Sequence, residues 1–253
     1  MSATYTTDVP TQAIGELQTL DNQGITPKSI AFTPDGGYVI LYGGNGYTIN
    51  NIPPGAADKI RDLNAQKSII NTIAFTPNGE WVIIYGGNGS CCSSNFPQDV
   101  IDKIVEINQL KFEINTVAFT PDGKWVIIFG GNGSLWNGWR GSDNLPQDVV
   151  DKLLDIRNQN LNINNVAFTP NGGWIIIYND GKNAWWNNVP QLVVDTITTI
   201  YKEGRTLINI AFLLNNGWVL LHKTVDNSLS DLVSKQIEIS GLRMQIMNNW
   251  HFQ

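Results

Sequence analysis

The side chains that could do chemistry in this chain are few and thinly spread. Carboxylates gather at Asp58, Asp102, Glu106, Asp151 and Asp155. Glycoside hydrolysis would need two of them held across one cleft, but their spacing sets them on solvated helical faces. Two further aspartates, Asp35 and Asp122, are replaced at equivalent positions by Asn78 and Asn171. An amide can hold a turn but cannot trade a proton, so these are turn residues. With only His222 and His251 available, a Ser–His–Asp site has no support, and His222 closes an apolar strand where a structural role is expected. The Gly-Gly-Asn-Gly segments lack the Lys and Ser/Thr of a phosphate loop. Cys91 and Cys92 are adjacent; a bond between them would be strained and close no useful loop, and a metal pair lacks further ligands. The expectation is no catalysis, no cofactor and no metal.

The aromatic residues say more. Tyr38, Trp81, Trp125, Trp174 and Trp218 recur at one equivalent position and read as a packing layer. A second set varies from copy to copy: Tyr47; Trp136, Trp139 and Arg140; Trp185, Trp186 and Asn187. These, with the hairpin amides Asn88 and Asn132, are the candidate ligand-binding residues. An indole face can cover the C–H face of a pyranose while amides and a guanidinium satisfy its hydroxyls. Several weak copies would gain by avidity on a multivalent surface.

The elements that must position these residues come from an internal repeat. Ala31-Phe32-Thr33-Pro34-Asp35-Gly36 returns from Ala74 to Gly79, from Ala118 to Gly123 and from Ala167 to Gly172, with a degraded fifth copy from Ala211 to Gly217. Each copy reads as strand, turn, strand, hairpin, strand, helix. First strands are expected near 29–33, 72–76, 115–120, 164–169 and 208–213. Lys124 to Phe129 is apolar on both faces, the mark of a strand covered on two sides. Asn-Gly is expected to supply the positive φ of the hairpin, and the third copy's last strand is expected to start at Ser134. Pro53, Pro97, Pro146 and Pro190 are expected at the first helical position, with Asp99 and Asp148 in the first turn.

The chain opens in mid-unit: residues 5–10 match a third strand, and a helix over 11–22 follows. In a closed ring that segment would complete the last unit and remove an exposed edge. The fold expected is therefore α+β, five βββα units in one domain over 1–253, as a closed five-bladed αβ-propeller or, alternatively, an open solenoid. Residues 228–253 lie outside the repeat and read as a short helix and a strand.

Composition bounds the partners. The net charge is −6 and charged residues make up only 15%, which argues against nucleic acid. No apolar run is long enough to span a membrane. The first ten residues lack the pattern of a secretory signal, so a cytoplasmic location or non-classical export is expected.

The strand–turn–strand piece, as in Val117 to Val126, resembles the repeats of WD40-like and TolB-like β-propellers over about 20 residues per copy. A Pro-initiated helix stands where such propellers carry a fourth strand, and the Trp-Asp dipeptide is absent. The five-fold count is similar to that of five-bladed lectin propellers, which implies a glycan-binding, lectin-like protein. The alternative is a protein–protein interaction scaffold, or the receptor-binding part of a toxin.

Overall fold

A computed structural model describes residues 2–130 and 138–224. The chain opens with strand β1 (Ala3–Tyr5) and helix α1 (Thr11–Asn22). Then come β2 (Pro27–Phe32), β3 (Tyr38–Tyr42), β4 (Gly46–Asn50) and α2 (Pro54–Ala65). The next copy is β5 (Ile70–Phe75), β6 (Trp81–Tyr85), β7 (Gly89–Cys92) and α3 (Gln98–Gln109). The third is β8 (Ile114–Phe119), β9 (Trp125–Phe129), β10 (Gly138–Gly141) and α4 (Gln147–Asn158). The fourth is β11 (Ile163–Phe168), β12 (Trp174–Tyr178), β13 (Asn183–Asn187) and α5 (Gln191–Lys202), and β14 (Arg205–Phe212) with β15 (Trp218–Thr224) begins a fifth.

These strands form five three-stranded sheets: β2-β3-β4, β5-β6-β7, β8-β9-β10, β11-β12-β13 and β1-β15-β14. The last joins the two ends of the chain. Strand β1 pairs antiparallel with β15, with Ala3 opposite Leu221 and Tyr5 opposite Val219. The inner strands β2, β5, β8, β11 and β14 neighbour one another in that order, and β14 neighbours β2. The backbone N–H of Ile30 donates to Asn209 Oδ1 at 3.3 Å across that last junction. This is a five-repeat, propeller-like arrangement of separate sheets.

Alternation along the middle strands explains why helices can fill the gaps. On β9, Trp125, Ile127 and Phe129 pack with Val100, Ile104 and Ile107 of α3. Val126 and Ile128 point the other way, into Val149, Leu153 and Ile156 of α4. Each helix is thus a wedge between two sheets, and α1 closes the series by packing Ala13, Leu17 and Leu20 against β3 and β15 together.

The Thr-Pro-Asp/Asn-Gly turns carry the chain from inner to middle strand. Thr33 Oγ1 accepts the N–H of Gly37 at 2.8 Å, and Gly36 takes φ +81°, a left-handed conformation that favours glycine. Two sequence expectations shift. The prolines stand one place before the helix, in extended geometry (Pro97 φ −55°, ψ 124°), because each Pro carbonyl accepts the first helical bond, as from Ile101 to Pro97. In the first two hairpins the first glycine, not Asn-Gly, takes positive φ, Gly43 at +55° and Gly86 at +57°, whereas in the fourth Asn179, Asp180 and Gly181 do, at +56°, +55° and +79°. The last glycine makes room for a ring. A Cβ on Gly46 would lie 2.3 Å from the Tyr42 ring. The freed asparagine, Asn45, exchanges hydrogen bonds with Asn64 at the end of α2. The expected start at Ser134 and the expected elements in 228–253 lie outside the described residues.

Candidate functional site

Helix α4 and edge strand β13 bound a groove of about 760 Å³. Val149, Leu153 and Ile156 are buried on the inner side of α4. The helical period therefore places Asp148, Asp151, Lys152, Asp155 and Asn158 along the groove. Across from them, Trp185 and Trp186 stand on β13, 43% and 37% exposed.

The floor is fixed by one carboxylate. Trp174 Nε1 donates to Asp148 Oδ2 at 2.8 Å, and Asn187 Nδ2 donates to the same oxygen at 2.6 Å. Partial burial works against the charge on Asp148, but these two hydrogen bonds and one from the Val149 N–H outweigh it and hold the carboxyl below the usual range. Above the floor, the Lys152 ammonium lies 4.4 Å from the centre of the Trp185 ring and 3.2 Å from Asp155 Oδ2. Gln147 donates to Asp151 at 2.8 Å. The groove joins indole faces to carboxylates, which suits a flat or cationic group with donors.

The other sequence-derived candidates are dispersed. Tyr47 is half-buried and packs on the α2 cluster. Asn88 is exposed in the turn between β6 and β7. Trp139 is half-buried against the α4 cluster. Arg140 reaches α3, with Nη2 and Nε 3.2 and 3.3 Å from Glu106 Oε1, and lies 5.5 Å from the Phe129 ring centre. Asn132 and Trp136 lie outside the described residues. Trp139 and Arg140 line a separate, smaller pocket of about 160 Å³ with Phe129 and Arg157, while Trp185, Trp186 and Asn187 share the α4–β13 groove.

Cys91 and Cys92 face opposite sides of β7, one toward the α2 cluster and the other toward the α3 cluster. Burial pushes the Cys91 thiol up to about 11, so it stays protonated and unreactive at neutral pH.

Two residues carry a role that the sequence did not announce. Asp148 and Asp99 each accept the indole N–H of the middle-strand Trp, the second from Trp125 at 2.6 Å. The signal was present as Pro-Gln-Asp followed by Trp 26 residues later in both copies. Read as a helix-dipole residue, Asp gave no hint of its partner.

Residues 57–93 match the family of the WD domain, G-beta repeat. That span takes in most of α2 and the whole β5-β6-β7 sheet. No curated protein matches the sequence. Among solved structures, one described as "YCF48 bound to D1 peptide" is 11% identical, covering 79% of this chain and 78% of that one, with a TM-score of 0.28. The chain carries a WD40-type repeat within a five-repeat, propeller-like fold, and its wider family stays open.

Proposed function

We propose that this protein is a non-catalytic protein-interaction scaffold whose docking face is the α4–β13 groove. The observation that carries the reading is the exposed Trp185–Trp186 pair on the outermost strand of its sheet. Large indoles left in water next to each other favour burial against a partner. Strand β13 is also more open than the other outer strands, with four of its five residues exposed. Its outer edge can pair with an extended segment of another chain, so backbone hydrogen bonds supply affinity and the indoles supply selectivity. WD-type repeats, to which residues 57–93 are similar, commonly serve as such scaffolds.

The glycan reading drawn from the sequence finds no support in the comparisons, although indoles beside amides would also suit a sugar. Affinity capture from source-cell lysate, followed by mass spectrometry, is the test. Wild type and Trp185→Ala/Trp186→Ala are compared, with a glycan array alongside. The expected outcome is a defined set of proteins lost from the double variant and a silent array. An array signal lost in a folded double variant would instead establish a lectin.

A further inference from the structure

The repeat lets one copy explain another. Helices α3 and α4 present the same polar face: Asp99, Asp102, Lys103 and Glu106 on one, Asp148, Asp151, Lys152 and Asp155 on the other. The outer strands can be aligned through their registers, Arg140 opposite Ile127 and Trp185 opposite Ile176. Arg140 and Trp185 therefore occupy equivalent positions. In the third repeat the groove is filled from within, because the Arg140 guanidinium lies on Glu106 and near the Phe129 ring. In the fourth the arginine is replaced by an indole, and the acidic helix face is left with Lys152 alone.

Lys152 shows that a cation fits between Trp185 and Asp155. It does not neutralise the site, since three carboxylates line the groove with one ammonium. A guanidinium is the better occupant. It is planar, stacks on an indole, and forks onto a carboxylate, none of which an ammonium does.

We infer that the fourth-repeat groove receives an arginine from a basic, extended segment of a partner protein, seated on Asp155 and Asp151 against Trp185. This rests on the scaffold reading and names its partner class. The segment lies along β13, and every second side chain enters the groove. Lys152 is the internal occupant that the arginine displaces.

Calorimetric titration of the whole protein with acetyl-(Thr-Arg)3-amide, against the same peptide with citrulline for arginine, tests the inference. Citrulline keeps the shape and loses the charge. The arginine peptide should bind at least about tenfold more tightly, with affinity falling as salt rises. Asp155→Asn should weaken binding by about tenfold. Lys152→Gln should strengthen it several-fold, by removing the competitor. Trp185→Arg should abolish it, because the fourth repeat then fills itself as the third does. Both Asp155 and Trp185 are exposed, so these variants keep their cores. Equal affinity for the two peptides, indifference to Asp155→Asn and Trp185→Arg, or no binding by the folded wild type would each overturn the inference. If protein capture still depended on the Trp pair in that event, the scaffold reading would stand and only the basic partner would fall.

Discussion

His222 lies inside the sheet that joins the ends of the chain, 2% exposed. Its Nε2 is 3.2 Å from Thr4 Oγ1 on β1, and its Nδ1 is 3.5 Å from the Arg205 guanidinium on β14. Burial, and then the positive charge of Arg205, push its pKa from 6.5 down to about 4. Above about pH 6.5 the ring is neutral in both folded and unfolded chains, and stability is fully present. Between about 6.5 and 4 the unfolded chain takes up a proton that the folded chain refuses, so stability drains away as pH falls. At 1.36 kcal/mol per unit the loss approaches roughly 3 kcal/mol. Urea midpoints between pH 7 and pH 4 should fall more steeply for wild type than for His222→Gln. Parallel slopes would mean that the imidazole is charged in the fold. The sequence marked this residue as structural, because it ends an apolar run. It could not show that strands 218 residues apart meet on it. The groove was legible in the same partial way. Trp185, Trp186 and Asn187 stand out by type, whereas Asp148, Lys152 and Asp155 look like an ordinary solvated helix face. Only the tertiary placement of β13 against α4 turns them into a wall.

At the scale of elements, the helix–sheet wedge is repeated five times but fastened differently. Where α3 meets β9 and α4 meets β12, an Asp at the second helical position takes the indole N–H of the middle-strand Trp. Where α2 meets β6 that position is Gly55, whose absent Cβ would sit 3.5 Å from Trp81 Cζ2 and 4.0 Å from its Nε1. The space is ordinary van der Waals distance, so the missing fastening can be restored. Gly55→Asp should stabilise the protein by about 1–2 kcal/mol, through helix propensity, a charge at the helix N-terminus and a new hydrogen bond. Thermal unfolding reads the gain, and an unchanged midpoint would show that the carboxylate does not reach Trp81. The order of elements was readable from the sequence because hydrophobic period and turn chemistry are local. Helix α1 over 11–22 agrees to the residue. The hairpin mechanism was not readable, since Gly-Gly-Asn-Gly satisfies a turn rule while Gly46 is there to let the Tyr42 ring lie down.

At the scale of the molecule, β1 is the smallest of the described strands and its pairing with β15 closes the longest loop among them. It supplies Ala3 and half-buried Tyr5 to the α1 cluster, with Val9 just beyond it. Deleting residues 1–9 removes that apolar surface and uncovers the β15 edge. The expected loss is roughly 3–5 kcal/mol, with self-association through the bared edge. Sedimentation and thermal melts of the truncated chain check both effects, and a peptide of residues 2–9 added in trans should reverse them. A monomer with an unchanged melt would place the ring's integrity in the wedge helices alone. The sequence pointed to this arrangement through phase: a third strand precedes the first full unit, and the fifth copy supplies the first and second strands that it can complete.

That division sets a clock during synthesis. A ribosome adds about 5–20 residues per second, so β1 emerges roughly 10–40 s before β15 is available to pair with it. Through that interval the nascent chain can assemble the complete units in order, from β2 onward, while Ala3–Tyr5 waits unpartnered. Pairing of β1 with β15 has the longest sequence separation among the described strand pairs, and it is slowed by the entropy of joining distant segments. Conditions that stall translation late in the message would lengthen the exposure of that single edge while leaving every finished unit intact.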